Sequence, residues 1–370
     1  MVEDRQKTTI IEETDKLWNT ERQPAGCPHC RRAFLVPPDR TGAVCPLCRQ
    51  AALEPQPVRM RTAEPERMLP FQVGKDKLRV IYEGFISGVW IRSEDFSTDH
   101  LLSRTIPVFW PLWLVDCDIS GEWQMEAGFD YQVQSAKETF SGGEWHSRKQ
   151  IEDRVRWEPR LGALTTRVDN VNVPALEEHG NREQLTGAYP LQRAQAFMAD
   201  QLGNAVMEVP DLPPEDAWPL ARPQVDKTAA HICAKAAGAQ HQRNFAIKAN
   251  YENQNWTQFL LPLYATFYQD DEGQPQIVIV NGHTGKINGP RLASPERGRK
   301  IAAIIAGIAG VLFFLALLSL LLTLVFPPAG IIAALLGILG FGTGIAAIIP
   351  AVWPNQWNRK QKGPRIVTRR

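Results

Sequence analysis

The sequence predicts an α+β protein in three parts: an N-terminal zinc ribbon, a body rich in antiparallel sheet, and a C-terminal transmembrane hairpin of two helices. Three observations support this fold class. Two CxxC pairs lie near the N-terminus, strand-like runs bounded by turn residues follow, and two long apolar runs precede the C-terminus. The predicted boundaries are a polar arm at 1–24, the ribbon at 25–53, a linker at 54–70, the body at 71–290, the hairpin at 301–352 and a basic cytoplasmic tail at 353–370.

The composition favours two or three domains in a reducing compartment. The chain has 370 residues, a net charge of +1 and six cysteines, and it lacks the apolar stretch near Met1 that would indicate secretion. About eight Lys or Arg and no acids lie from Arg299 onward, so the preceding part carries a net charge of about −7. A part of that sign is a poor general binder of nucleic acid.

The two cysteine pairs predict one structural zinc ion. Cys27-Pro-His-Cys30 and Cys45-Pro-Leu-Cys48 are separated by about fourteen residues, the spacing typical of a zinc ribbon. Each pair supplies two thiolates from one turn, and two turns complete a tetrahedral site with no open position. The alternative, a thioredoxin-type redox pair, needs a single CxxC in a βαβ context. His29 is expected to be exposed, because four cysteines already fill the site.

The ribbon carries four arginines that leave its binding partner open: Arg31, Arg32, Arg40 and Arg49. Contact with nucleic acid or another acidic surface is one alternative. A structural or protein-contacting ribbon is favoured, because isolated aromatic residues for base stacking are lacking and Phe34 is expected in the ribbon core. Four prolines between Leu53 and Pro70 predict an extended linker, and hence a separate ribbon module.

The body is predicted to combine strands and helices. A helix begins near Asp76 as N-cap, and two further helices over 191–202 and 225–236 are separated by prolines that include Pro219 and Pro223. A strand over 107–118 runs into a turn at 119–123. Pro111-Leu-Trp113 and Pro262-Leu-Tyr264 look alike, and a glycine turn follows each, which predicts two related β-hairpins, with chance similarity as the alternative.

Candidate catalytic groups are few. Asp116 with Asp118, and Asp270 with Asp271, are interpreted as solvated turn residues rather than acid–base pairs. His231 and Cys233 do not share a helical face, and the single cysteines Cys117 and Cys233 are expected to be buried. The sequence contains no phosphate-binding loop, dinucleotide fingerprint or HExxH motif. We therefore expect a protein that is not an enzyme.

The C-terminal apolar block predicts the membrane anchor. A run of about 26 residues from Ile301 to Phe326 and one of about 24 from Ala329 to Val352 are each long enough to cross a bilayer. Pro327 and Pro328 break the helix between them. A buried hairpin of a soluble protein is disfavoured, because two consecutive runs exceed the length that a soluble core uses. Trp353 and Trp357 fit an aromatic belt.

Basic residues on both sides of the hairpin predict that both termini are cytoplasmic. They are Arg297, Arg299 and Lys300 before it, and Arg359, Lys360, Lys362, Arg365, Arg369 and Arg370 after it. Small residues at four-residue spacing, Ala306 with Gly310 and Gly340 with Gly344, predict close helix packing, either within the hairpin or in a homo-oligomer. Neither span contains a charge, which argues against an ion pathway built by this chain alone.

Several motifs together give a family resemblance. The paired CPxC motifs, the strand Phe109-Trp-Pro-Leu-Trp-Leu-Val-Asp116, and the segments Leu261-Pro-Leu-Tyr264 and Asn281-Gly-His-Thr-Gly-Lys286 resemble bacterial TFIIB-type zinc-ribbon membrane proteins, often mislabelled as primosomal helicase-like. The resemblance implies zinc on Cys27, Cys30, Cys45 and Cys48, a bacterial inner-membrane location facing the cytoplasm, and no established catalysis. Some members are similar to partners of phage-shock protein A and SPFH-type scaffold proteins in envelope stress. The helicase label fails here, because the chain has no Walker motif.

These features favour a non-enzymatic membrane adaptor that docks protein partners, such as membrane-associated scaffold or stress proteins. Two alternatives remain from the sequence. One is a membrane-tethered nucleic-acid binder that uses the ribbon arginines, and the other is an accessory subunit of a membrane transporter or enzyme complex.

Overall fold

The protein is a mixed α/β structure built on a large sheet, which has eleven strands in the described part of the chain. The computed structural model describes residues 22–56 and 64–361. The predicted polar arm therefore lies almost entirely outside the described residues, as do the middle of the predicted linker and the end of the basic tail from 362.

The elements are short around the ribbon and unusually long in the body. The strands are β1 Gln23–Gly26, β2 Ala33–Val36, β3 Glu54–Pro55, β4 Arg67–Met68, β5 Ile106–Ser141, β6 Glu144–Pro174, β7 Gln195–Ala196, β8 Val206–Glu208, β9 His241–Gln269, β10 Pro275–Asn281 and β11 Ile287–Asn288. The helices are α1 Lys75–Ile86, α2 Thr98–Ser103, α3 His179–Thr186, α4 Pro214–Ala236, α5 Pro295–Leu322, α6 Ala329–Ala346 and α7 Ile348–Lys360.

Strands β5 and β9 form the axis of the sheet. They pair antiparallel from Ile106 opposite Ala265 to Gly128 opposite His241. Strand β5 has 36 residues, and at about 3.3 Å per residue it extends for roughly 115 Å. The two stretches that looked alike in the sequence, 111–113 and 262–264, lie on these adjacent strands, each of which begins a hairpin.

Beyond Asp118, β5, β6 and β9 project as a blade that we call the finger, residues 118–167 and 241–252. It has three strands as far as Gly128 and two from there to its tip. The predicted turn at 119–123 is wrong, because β5 continues straight through it. Gly121 is required there by close approach: a Cβ on it would lie 2.3 Å from the carbonyl oxygen of Lys248. The chain turns instead at Gly142 and Gly143, both with positive φ.

Helix α4 covers one face of the sheet at the root of the finger. Val225 and Ala229 are buried there against Trp113, Val115 and Cys117. This confirms the helix predicted over 225–236, but the helix begins earlier, and Pro219 and Pro223 lie inside it rather than before it. Burial of the small residues around them, Ala217 and Ala221 among others, compensates for the backbone hydrogen bonds that proline removes.

The other two helix predictions have opposite outcomes. Helix α1 forms with Leu78, Tyr82 and Phe85 buried, although Gly74 rather than Asp76 is its N-cap. No α-helix forms over 191–202, which consists of 3-10 turns at Leu191–Arg193 and Ala199–Leu202 on either side of β7. Strand β7 pairs there with β4, so tertiary pairing overrides the helical spacing of the apolar residues.

The prediction that the ribbon is a separate module is wrong. Its strand β2 pairs with β8 of the body, with Phe34 opposite Glu208 and Leu35 opposite Met207. Both ends of the predicted linker also lie in the sheet, since β3 pairs with β1 and β4 pairs with β9. A ribbon this small leaves an open strand edge and an apolar face, and the body covers both.

The C-terminal helices form the predicted hairpin, with Pro327 and Pro328 in the break between α5 and α6. The segments Pro295–Leu322 and Ala329–Lys360 are long and apolar enough to cross a membrane. About a tenth or less of their most apolar stretches is buried inside the protein, unlike the core helices of a soluble domain.

The small residues of the hairpin divide into two groups. Gly340 is buried against Leu312 and Phe313 of α5, and Gly344 approaches Ala309. Ala306 and Gly310 are exposed on the outer side of α5. The structure therefore uses the second pair for packing within the hairpin and leaves the first pair on its surface.

The base of the hairpin is fastened firmly to the body. Asp271 accepts hydrogen bonds from the Ser294 hydroxyl at 2.9 Å and from the Glu296 amide at 2.8 Å, at the start of α5. Asn358 of α7 pairs with both the amide (2.8 Å) and the carbonyl (3.0 Å) of Ala293. The prediction that Asp271 is only a solvated turn residue is therefore wrong. Because Asp271 follows the end of β9, the hairpin leaves the body at the end of the sheet opposite the finger tip.

Candidate metal centre

Two similar turns bring the four predicted cysteines together. In each turn the residue after the second cysteine donates a hydrogen bond from its amide to the carbonyl of the first cysteine. Arg31 donates to Cys27 at 2.9 Å, and Arg49 donates to Cys45 at 3.2 Å. Arg31 and Arg49 have φ of 56° and 58°. This left-handed conformation turns the chain sharply enough for both thiols of a pair to face the same point.

The geometry of the four thiols suits one tetrahedral metal ion. The sulfur atoms of Cys27, Cys30, Cys45 and Cys48 lie within 4.8 Å of one another, and all four residues are buried. The Cys27–Cys48 sulfur distance is 3.5 Å and the Cys30–Cys45 distance is 3.8 Å. A tetrahedron with metal–sulfur bonds of about 2.3 Å has edges of about 3.8 Å. The predicted ligand set is thus assembled, and His29 is exposed as expected.

The pKa values of the thiols determine how many protons a metal ion would displace on binding. The hydrogen bond with Cys45 lowers the pKa of Cys30, but the hydrogen bond with Cys48 and burial outweigh it and raise that pKa to about 12. Hydrogen bonds with Cys30 and Cys48, together with burial, raise the pKa of Cys45. Hydrogen bonds with Cys30 and Cys45 lower the pKa of Cys48. Because a metal binds the thiolate form, a divalent ion would displace the protons that the raised pKa values keep on Cys30 and Cys45.

A buried network of four charges joins this centre to the body. Arg32, the second residue after Cys30, contacts Glu178 and lies 3.6 Å from Glu208. Arg182 of α3 binds both carboxylate oxygens of Glu208, at 2.8 and 3.2 Å. Arg32, Arg182 and Glu208 are each at most 5% exposed. Two positive and two negative charges balance, which makes their burial tolerable.

The second cysteine pair is joined to the body by an arginine as well. Arg49, directly after Cys48, stacks on the ring of Phe267 with its guanidinium carbon 4.1 Å from the centroid. Arg104 lies near the same ring, at 4.8 Å. Of the four ribbon arginines, Arg32 and Arg49 are thus engaged within the protein, whereas Arg31 is exposed and Arg40 half-buried.

The other candidate residues form no comparable site. Asp116 accepts a hydrogen bond from the amide of Asn170 at 2.7 Å, and Asp118 pairs with Arg167 at 3.3 Å. They flank an irregularity in the β5–β9 pairing rather than a hairpin end, so their interpretation as turn residues is wrong. Cys117 and Cys233 are buried as expected, and His231 is exposed.

Sequence reasoning missed the charge network and Asp271. One signal was present: Glu208 interrupts the apolar run Ala205-Val-Met-Glu-Val209, where a lone carboxylate needs a partner if the run is buried. Its partners, Arg32 and Arg182, are remote in sequence, so the pairing itself required the fold.

Comparisons of the chain with protein-family models, with curated proteins and with solved structures found no match. The assignment of the site therefore rests on its own geometry and chemistry.

Replacing one ligand should abolish metal binding. We expect the full chain to take up one Co²⁺ or Zn²⁺ ion, and Cys45→Ala to lose it, because three thiolates leave the tetrahedron open. Cys233→Ala is the matched control, since that thiol is equally buried but outside the cluster. Metal content and the Co²⁺ thiolate absorption bands measure this, and full loading of Cys45→Ala would contradict the assignment.

Metal affinity should fall as the pH falls. Since the pKa values of Cys30 and Cys45 are raised in the metal-free cluster, binding must release protons, and each released proton weakens apparent affinity about tenfold per pH unit lost. Competition with a chromophoric chelator at several pH values measures the slope. An affinity independent of pH would contradict thiolate ligation.

Breaking the charge network should destabilise the junction between ribbon and body. Glu208→Gln leaves the charges of Arg32 and Arg182 short of a partner, at a cost of about 3–5 kcal/mol. Glu158→Gln removes a carboxylate that pairs with Arg156 and Arg160 at the surface, where we expect about 0–1 kcal/mol. Thermal unfolding of the detergent-solubilised chain compares the two, and equal shifts would show that the network contributes little.

Proposed function

We propose that the protein is a non-enzymatic adaptor, anchored in a membrane by α5–α7, that presents its body and finger to protein partners. The observation that carries the proposal is the hairpin: two long helices with exposed apolar surfaces, rooted in a folded body by Asp271 and Asn358. Soluble monomeric proteins rarely expose a contiguous apolar surface of this size.

The anchoring is supported by the chemistry of the helix surfaces. From Ile301 to Val352 no charged residue interrupts the hairpin, and the exposed side chains are mostly Ile, Leu, Val and Phe. Both ends of the hairpin lie at its base, where Arg297, Arg299, Lys300, Arg359 and Lys360 cluster. The preference of such residues for the cytoplasmic side supports a body and termini in the cytoplasm, and the family resemblance suggests the bacterial inner membrane.

The metal in this proposal is zinc with a structural role. Four thiolates fill a tetrahedral site and leave no position for a substrate. When bound, zinc would neutralise the thiolates and hold the two turns in place. Through Arg32 and Arg49 those turns also position the ribbon against β8 and Phe267.

The docking surface is supported by the finger. Among residues 22–56 and 64–294, half of the exposed large apolar side chains lie on it: Tyr131, Phe140, Trp145, Ile151 and Leu161. Phe140 and Trp145 face each other at the tip, with ring centroids 5.4 Å apart. Exposed aromatic residues are typical of protein contacts, and the resemblance suggests membrane-associated scaffold or stress proteins as partners.

The nucleic-acid alternative loses support, because Arg32 and Arg49 contact the protein's own residues instead of forming an exposed basic surface. An accessory role in a transporter or enzyme complex is distinguished by the identity of the partner. Purification of the intact protein in detergent, followed by mass spectrometry, separates the cases. A scaffold protein supports the adaptor, a polytopic or catalytic partner supports the accessory subunit, and nucleic acid alone supports the tethered binder.

Membrane integration should resist alkaline carbonate and depend on the apolar surface of α5. We expect the full chain in the carbonate pellet, and Phe314→Lys with Leu318→Lys to shift it to the supernatant or to degradation, since each central charge opposes insertion by about 3 kcal/mol. Phe314→Ala with Leu318→Ala is the matched control and should stay in the pellet. Release of the unmodified chain by carbonate would contradict the anchor.

A further inference from the structure

An exposed tryptophan of the body lies beside the base of the hairpin. Trp90 belongs to the loop between α1 and α2, and its neighbours Val89 and Ile91 are 1% and 3% exposed. Trp90 itself is 62% exposed. The buried neighbours fix the backbone, so the loop holds a large indole outward at a position where any polar side chain would fit.

The loop is attached to the first turn of α5. The carbonyl of Ile91 accepts a hydrogen bond from the Ser294 amide at 2.7 Å, and that of Arg92 accepts one from the Arg297 guanidinium at 3.1 Å. The loop and the start of the apolar helix therefore move as one piece.

The ring of Trp90 also lies where the second helix of the hairpin comes back to the body. It packs edge-on against Trp353, with centroids 5.8 Å apart and planes at 70°. Trp353 directly follows the last apolar residue of the hairpin, Val352, and stacks on Trp357 at 5.2 Å. Trp90 thus lies at the same height along the hairpin as the residues at its boundary.

We infer that Trp90 is a membrane contact of the body, inserted with Trp353 into the headgroup region of the phospholipid bilayer. This inference rests on the proposed function, in which the hairpin spans the membrane. The indole has an apolar body and one polar N–H, which suits that region. Three arginines are exposed, Arg92 two residues after Trp90 and Arg299 and Arg359 near the two ends of the hairpin, and they suit anionic phospholipid headgroups.

The consequence is a fixed orientation of the body. The hydrogen bonds of Asp271 and Asn358 fasten the body to the hairpin, and a membrane contact at Trp90 adds a third point, outside the hairpin, that opposes tilting of the body. Strand β9 runs from the finger to the hairpin base over 29 residues, which is about 95 Å. The Trp90 contact therefore directs the finger away from the membrane, toward partners in the surrounding solution.

Photo-crosslinking of the full chain tests the inference. Benzoylphenylalanine is placed at position 90, at position 304 on α5 and at position 145 on the finger tip, all of which are 62–69% exposed in the native residues. Each variant is reconstituted in vesicles of phosphatidylcholine and phosphatidylglycerol and irradiated, and adducts are identified by mass spectrometry. We expect lipid adducts at positions 90 and 304 in comparable yield, and none above background at 145.

Lipid adducts at 304 without any at 90, or adducts at 90 only with protein, would overturn the inference while leaving the anchor intact. Absence of lipid adducts at 304 would overturn the anchor itself and the inference with it. Metal content of each variant verifies that it is folded.

A conservative variant gives a second measurement. Trp90→Phe keeps a ring against Trp353 but removes one fluorophore. If Trp90 lies in the bilayer, brominated phosphatidylcholine quenches a smaller fraction of the fluorescence of Trp90→Phe than of the native chain. An equal or larger quenched fraction would contradict the contact.

Discussion

The antiparallel pairing of β5 with β9 is the interaction on which the rest of the structure depends. Other strands attach along this pair: β8 joins the ribbon to β5, β10 extends the sheet from β9, and β6 completes the finger. The end of β9 leads to Asp271, which fastens the first turn of α5. A continuous ladder of backbone hydrogen bonds thus links the apolar hairpin to a tip on the order of 100 Å away, and places the metal centre near the hairpin end.

The ribbon depends on this sheet as much as on its metal. Its strand β2 has a partner in β8, and the charges of Arg32 and Glu208 are buried together between them. A buried ion pair adds little net stability but penalises any arrangement that separates its members. The network therefore specifies how the ribbon sits on the body, whereas the four thiols specify the shape of the ribbon itself. Loss of the metal would disturb both, because Arg32 and Arg49 lie within two residues of the ligands Cys30 and Cys48.

Local patterns predicted local structure well. The spacing of Cys27, Cys30, Cys45 and Cys48 determines a tetrahedral cluster, and the apolar runs around Pro327 determine a hairpin, because both follow from chemistry within a few residues. Long-range pairing could not be derived in the same way. Three features depend on residues far apart in the chain: the pairing of β2 with β8, the continuation of β5 through Gly121, and the ion pairs of Glu208. Gly121, Pro219 and Pro223 were wrongly predicted to interrupt a strand or a helix, because sheet pairing and burial outweigh the local preference of these residues.

The central claim is that a membrane hairpin carries a rigid body whose finger points away from the bilayer. Electron cryo-microscopy of the intact chain in lipid nanodiscs tests it most directly. We predict density for two helices within the disc, the ribbon and body next to its surface, and a thin blade that extends on the order of 100 Å from it. A blade lying along the disc surface, or a hairpin outside the disc, would contradict the account.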